Sequence, residues 1–185
     1  TSPCAFAPFS EGLAPVANAQ GLWGYVTPEG RVAIVPAFRS AGQFAQGLAP
    51  VVDANGKVLY VNQDGETVFA PDNADAGGCF SPAGVAPVRQ AGKWGFIRRN
   101  GTWVLAPNYS RVRALSDELW VVFGAADSAV NGERWGAVSA NGQVVIPCKF
   151  KFLDSFSEGR AVASDDGRLL GYVQPDGRYC ILPQF

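Results

Sequence analysis

The chain has 185 residues, 16 acidic and 15 basic, with no histidine and no methionine. Hydrophobic residues make up 48% and charged residues 17%, a balance that excludes an intrinsically disordered chain. A net charge of −1 argues against nucleic acid as a partner, and the absence of an apolar run of about 18 residues argues against a membrane span.

In chain order, the first recognisable piece is FSEGLAPV from Phe9, and it returns as FAQGLAPV from Phe44, FSPAGVAPV from Phe80, LSDELWVV from Leu115 and FSEGRAVA from Phe156. Between these lie GLWGYVTPEGRVAIVPAF at 21–38, GKWGFIRRNGTWVLAPNY at 92–109 and ERWGAVSANGQVVIPCKF at 133–150, with weaker copies near 58 and 170. The turn glycines Gly30, Gly65, Gly101, Gly142 and Gly177 step by 35 or 36 residues, apart from one step of 41. A constant interval of that size marks a repeat fold. The units are a half-repeat at 1–20, repeats at about 21–55, 56–91, 92–132 and 133–166, and a half-repeat at 167–185, read as one domain.

Within a unit, Trp23 and Tyr25 lie two apart and share one strand face, as do Trp94 and Phe96. Gly24, Gly95 and Gly136 remove the side chain beside each tryptophan, which admits a close neighbour. TPEG, RRNG and SANG are turn sequences that lead into the β-branched runs RVAIV, TWVL and QVVI, so each unit opens as a hairpin. Pro36, Pro71, Pro107, Pro147 and Pro183 are expected to end the second strand. A third strand follows, where Pro15, Pro50 and Pro87 point to an edge or a bulge. The expectation is all-β, with three to four short antiparallel strands per unit. The recurring Trp23, Trp94 and Trp135 are read as structural.

Tryptophan-glycine-aromatic, turn glycine, short β run, proline-x-aromatic and Phe-Ser-Glu-Gly-Leu-Ala together resemble the bacterial WG-repeat (KWG) family. The second copy departs with Val58 and Leu59, and the last has Leu170 before Gly171 and one inserted residue. The resemblance implies all-β repeats that mediate interactions, with no shared catalytic residues to carry over.

A third strand without its hairpin at one end and a hairpin without its third strand at the other, Leu170 to Leu182, would complete each other as a fifth unit. Exposed edges are a liability that closure removes. The expected architecture is therefore a closed, propeller-like ring, with an open β-solenoid as the alternative. The four cysteines Cys4, Cys79, Cys148 and Cys180 form no Cys-x-x-Cys pair and permit disulfides in an oxidising compartment. A Cys4–Cys180 bond would join the two half-units.

Function is sought where the pattern breaks. Trp120 stands where other units have Ala14, Ala49, Ala86 and Ala161, and Trp103 replaces Val32 and Val144. Around them lie Arg98, Arg99, Arg111 and Arg113, and tryptophan with arginine is the composition of interface hot spots. These six residues form the expected partner-binding patch. Two irregular connections, 72–78 and 125–132, are candidate specificity loops, and Asp72 and Asp75 lack the pattern of a calcium loop. Without histidine, a Gly-x-Ser-x-Gly elbow or a phosphate loop, the chain is not expected to be an enzyme or to hold a cofactor or metal. The resulting expectation is a protein-binding module, periplasmic or secreted on the grounds of its cysteines and missing methionine, acting as an inhibitor or immunity protein. The alternative is a glycan-binding or glycan-hydrolysing β-ring.

Overall fold

The computed structural model describes residues 8–113, 115–116, 118–125 and 132–185. Every regular element among them is a β-strand, and no helix there is long and apolar enough to cross a membrane. The chain divides into two units. The first reaches to Gly92 and includes Ile97–Trp103, while the second holds Lys93–Phe96 and Val104–Phe185.

In the first unit, β1 (Ala14–Ala17), β2 (Trp23–Val26) and β3 (Val32–Phe38) form one antiparallel sheet. A second sheet runs β4 (Ser40–Ala41), β5 (Ala49–Val52), β6 (Val58–Val61) and β7 (Thr67–Phe69). β8 (Ala74–Gly77) then pairs with β9 (Val85–Gln90). β10 (Lys93–Arg98) and β11 (Trp103–Val112) are divided between the units. In the second unit the far half of β11 pairs with β12 (Leu119–Ala125), followed by β13 (Glu133–Ser139) and β14 (Val144–Phe150). The last sheet runs β15 (Phe152–Leu153), β16 (Ala161–Ser164), β17 (Gly171–Val173) and β18 (Tyr179–Ile181).

This pairing shifts the phase of the repeat. The LAPV strand does not close the unit whose hairpin precedes it; it opens a sheet with the hairpin that follows, as β1 does with β2 and β16 with β17. Both terminal half-repeats thus find their strand partners next to themselves in sequence. The expected shared blade does not form from these strands: β1 takes its partner from β2 and the β17–β18 hairpin takes its own from β16, in a first sheet of three described strands and a last sheet of four.

The role of the tryptophan-glycine pair follows from the register. Trp23 faces Phe38 while Tyr25 faces Ile34, so β3 carries extra residues around Pro36. That bulge folds back over Gly24: a Cβ there would strike the Ile34 carbonyl oxygen and lie 2.7 Å from the Pro36 nitrogen. Gly136 meets the Ile146 carbonyl and the Cys148 nitrogen at 2.9 Å, and Gly171 meets the Ile181 carbonyl at 2.5 Å and the Pro183 nitrogen at 2.8 Å. Pro36, Pro107 and Pro147 therefore lie inside strands, and the proline marks a bulge rather than a strand end. Where Leu59 replaces the glycine, β7 stops at Phe69, before Pro71.

Pro50 also departs from expectation, because β5 has a strand on either side. The β4–β5 ladder ends at Ala41↔Val51, and the Gly42 N–H donates to the Pro50 carbonyl at 2.8 Å. The missing proline N–H therefore points to the side where pairing has already stopped, so no ladder bond is lost.

Within each unit, successive sheets are joined face to face by one repeated interlock. Tyr25 of the first sheet is fully buried against Phe44 of the second, with ring centroids 4.8 Å apart, and its hydroxyl donates to the Gly42 carbonyl at 2.7 Å. Tyr60 repeats this with Phe80 at 5.1 Å and the Gly78 carbonyl at 2.8 Å. Clusters of buried side chains accordingly lie between sheets: Leu13, Tyr25 and Ile34 with Phe44 and Val51, and Leu48, Val58 and Tyr60 with Phe80 and Val88. In the second unit Ile146 and Ala137 join Phe156, Ala163 and Val173. Each buried aromatic contributes about 1.5–3 kcal/mol of apolar transfer. Trp23, Trp94 and Trp135, read from the sequence as structural, are half-buried, and the deep position is two residues later, at Tyr25, Phe96 and Ala137.

No disulfide joins Cys79, Cys148 and Cys180 to one another. Cys180 is an exposed thiol donating to the Tyr172 carbonyl at 3.3 Å, and Cys79 donates to the Gln43 carbonyl at 3.2 Å. Cys4 lies outside the described residues, as does most of the 125–132 connection.

Two outcomes follow from this packing. Gly136→Ala should lower unfolding free energy in urea by about 2–3 kcal/mol, because the colliding atoms are backbone and cannot step aside. Burial pushes the Tyr25 and Tyr60 hydroxyls well above the ordinary tyrosine range, with a smaller contribution from Cys79, and raises Tyr179 to about 12. An unfolded tyrosine ionises near pH 10, so stability is complete below about pH 10 and falls as the pH rises above it. Thermal melts from neutral to strongly alkaline pH should show that decline, and the Tyr25→Phe, Tyr60→Phe variant should flatten it.

Candidate functional site

The six residues expected to form one patch fall in two units. Arg98 and Arg99 occupy the turn from Arg98 to Thr102 in the first unit, closed by the Arg98 N–H donating to Thr102 O at 2.8 Å and the Gly101 N–H to Arg98 O at 2.9 Å. Both arginines are exposed. Arg99 stretches across the neighbouring turn glycine Gly84, where a Cβ would lie 3.6 Å from its Cδ. Trp103 is half-buried and packs against the cluster containing Tyr60, Phe80 and Ile97.

Trp120 does not reach the surface. Its indole is 3% exposed and lies 4.8 Å from the Phe96 ring. The reason is a volume exchange within the repeat. Where Phe44 and Phe80 supply the aromatic that covers the preceding sheet, this repeat has Leu115, and Trp120 restores the ring from the adjacent strand. The leucine in the phenylalanine position was the sequence signal for that role, so Trp120 leaves the partner-binding set.

Arg111 and Arg113 do belong to an arginine-aromatic surface, with partners the sequence did not single out. The register sets Arg111 opposite Phe123, and Phe123 opposite Trp135, across β11, β12 and β13. Residues directly opposite share a face. Phe123 and Trp135 stack at 4.8 Å, the Arg111 guanidinium lies 5.8 Å from the Phe123 centroid, and that of Arg113 lies 4.5 Å from Trp135. Both distances are within cation–π range. Phe123 occupies a place that Ala17, Val52 and Ser164 hold in other units, a departure as large as that at Trp120.

The two arginines are held differently. Arg113 donates from Nη1 to the Leu153 carbonyl at 3.0 Å and to Asp154 Oδ1 at 2.8 Å. Arg111 is exposed beside Glu133. Glu133 accepts from Lys93 Nζ at 2.9 Å, and chiefly that bond holds its carboxyl below the usual range, with Ser110, Lys93 and Arg111 adding to the shift. In the first unit, the 72–78 connection expected as a loop is largely strand β8, and on it Asp75 accepts from Arg89 Nε at 2.5 Å and from the Gly92 N–H at 3.2 Å, chiefly the Arg89 bond holding its carboxyl below the usual range. Among the described residues, no group of three or more His, Cys, Asp or Glu is placed to hold a metal.

A family model described as WG containing repeat matches residues 23–57, 94–122 and 135–168, together more than half of the chain. No curated protein matches the sequence. Among solved structures, the computationally designed Ika8 protein is 14% identical with a TM-score of 0.57, covering 95% of this chain and 59% of its own. BamB from Moraxella catarrhalis is 16% identical with a TM-score of 0.50, again covering 95% and 59%. The WD40 beta propeller domain of Doa1 is 11% identical with a TM-score of 0.45, covering 95% and 66%. The chain thus spans less than two thirds of each. The likeness is one of fold: all-β and antiparallel.

The different anchoring of the two arginines is measurable. Arg113→Ala removes a cation–π contact and the Nη1 donor to Asp154 and the Leu153 carbonyl, while Asp154 keeps the Ser155 N–H, and should cost about 1–2 kcal/mol in chemical denaturation. Arg111→Ala should stay within about 0.5 kcal/mol of the parent.

Proposed function

The chain belongs to the WG containing repeat family, and from that premise we propose that it is a non-catalytic repeat module that binds another protein. The observation that carries the reading is the row Arg111, Phe123, Trp135 in the second unit, where an exposed guanidinium lies against half-buried aromatic rings. Rigid aromatics and a planar cation lose little rotamer entropy on contact, and arginine can form paired hydrogen bonds with carboxylates. A partner with an acidic surface fits this row. The ring faces on which a sugar would stack carry guanidinium groups, which favours a protein over a glycan.

The finer form of the reading is a bacterial envelope module that blocks a toxin or hydrolase as an inhibitor or immunity protein. The closed ring belongs to this finer form as well. Because β1 has its strand partner in β2 and the β17–β18 hairpin has its own in β16, closure would rest on sheet faces and not on a shared blade.

Affinity capture from the native host tests the reading. The parent chain should retain a specific protein that the Arg111→Ala, Phe123→Ala variant loses by at least about tenfold in affinity, the scale of a hot spot. Trp120→Phe should retain it. Equal capture by the double variant, or retention on immobilised glycan alone, would overturn the assignment.

A further inference from the structure

Two outer strands of the first unit present edges of opposite charge. β3 is the last strand of the sheet β1-β2-β3 and β7 the last of β4-β5-β6-β7, so neither has a partner on its outer side among the described strands. Both turn β-branched side chains to solvent: Val32 and Val35 are 61% and 73% exposed, and Val68 is 52% exposed. An unpaired strand edge is a template for one more strand.

The flanking charges decide which strand fits. Arg31 and Arg39 bracket β3, with Glu29 in the turn before it, whereas Asp64 and Glu66 precede β7 and Asp72 follows it. All of these side chains are exposed. Laid antiparallel on its own kind, β3 would set Arg31 against Arg39, and β7 would set Asp72 against Asp64 and Glu66. Like charges opposite one another destabilise a strand pair and unlike charges favour it. Laid antiparallel on β7 with Val35 beside Val68, β3 brings Arg31 to the Asp72 end and Arg39 to the end that carries Asp64 and Glu66. The charges that keep each edge from its own kind thus suit it to the other. In the second unit β14 also ends its sheet, with Val144 48% exposed, but its Lys149 is already engaged by the Gly177 carbonyl at 3.2 Å and the Phe150 ring at 4.8 Å.

We propose that β3 of one molecule pairs antiparallel with β7 of a second copy of this chain, so that a sheet continues from one molecule into the next. Main-chain hydrogen bonds join the strands, Val35 packs beside Val68, and the two arginines meet the three carboxylates. The bulge around Pro36 keeps the ladder short, and each joint therefore leans on its charges. One edge meets a different edge, so the contact is heterologous and builds head to tail until it closes. Its residues belong to the first unit and those of the Arg111 row to the second, so self-association and partner binding use different surfaces.

Sedimentation of the 185-residue chain from micromolar to millimolar concentration at low salt tests the proposal. The average mass should rise to at least about twice that of the monomer and fall back in about 0.5 M salt, where screening is short-ranged. Arg31→Glu, Arg39→Glu makes both edges acidic, and Asp64→Lys, Glu66→Lys, Asp72→Lys makes both basic. Each variant should stay monomeric with the parental melting temperature. Mixing the two should restore association, and so should placing all these substitutions in one chain, which exchanges the charges of the two edges. A parent chain that stays monomeric would overturn the proposal. So would either charge variant associating to the parental extent, or a charge-exchanged chain that remains monomeric.

Discussion

The structure depends on a close approach of backbone to backbone at the tryptophan-glycine pair. In three sheets the bulge around the proline folds onto a glycine that has no room for a methyl group. That contact sets the register: the strand after the turn gains its extra residues there, so an isoleucine stands opposite the buried Tyr25 or Ala137 and a phenylalanine opposite the tryptophan. The face-to-face joint between sheets needs that register, since Ile34 and Ile146 must meet the turn glycine of the following sheet. A backbone constraint in one sheet thus places the side chains that hold the next.

Much of this was legible in the sequence, and what was not has a physical cause. Period, turn glycines and the aromatic alternation announced the strands, because each rests on local chemistry. The grouping of strands into sheets was misread by one strand, since the LAPV segment can pair with either neighbouring hairpin and nothing in its own residues chooses between them. The prolines were misread for a related reason. Pro36 and Pro147 look like strand ends when a strand is taken alone, and only the glycine across the ladder shows that they sit in a bulge. Pro50 fits inside a sheet because its neighbour β4 has already ended.

The candidate site shows the same limit in side chains. Tryptophan in an alanine position signalled an exception correctly, yet burial and exposure give the same signal when the backbone is unknown. Trp120 compensates for Leu115 inside the core. Phe123, an exception of equal size, stays half-buried beside Arg111, because the residues opposite it are an exposed arginine and a half-buried tryptophan. Pairs of compensating exceptions mark packing, whereas an exception without a compensating change marks a surface.

In the first unit, the side chains of Ser10, Glu11 and Cys79 bond the sheets to one another. Their hydrogen bonds reach residues 34 to 36 positions away: Ser10 to Phe44, Glu11 to Gln46 and Gly47, Cys79 to Gln43. Interactions of that kind tie a sheet of the first unit to its immediate neighbour, the condition under which a chain behaves as a one-dimensional array with nearest-neighbour coupling. Loops that close over so few residues are entropically cheap, and their contact order is independent of the number of repeats. Ordering can then begin at any sheet and spread outward like a zipper, so lengthening the array by one repeat need not slow its assembly.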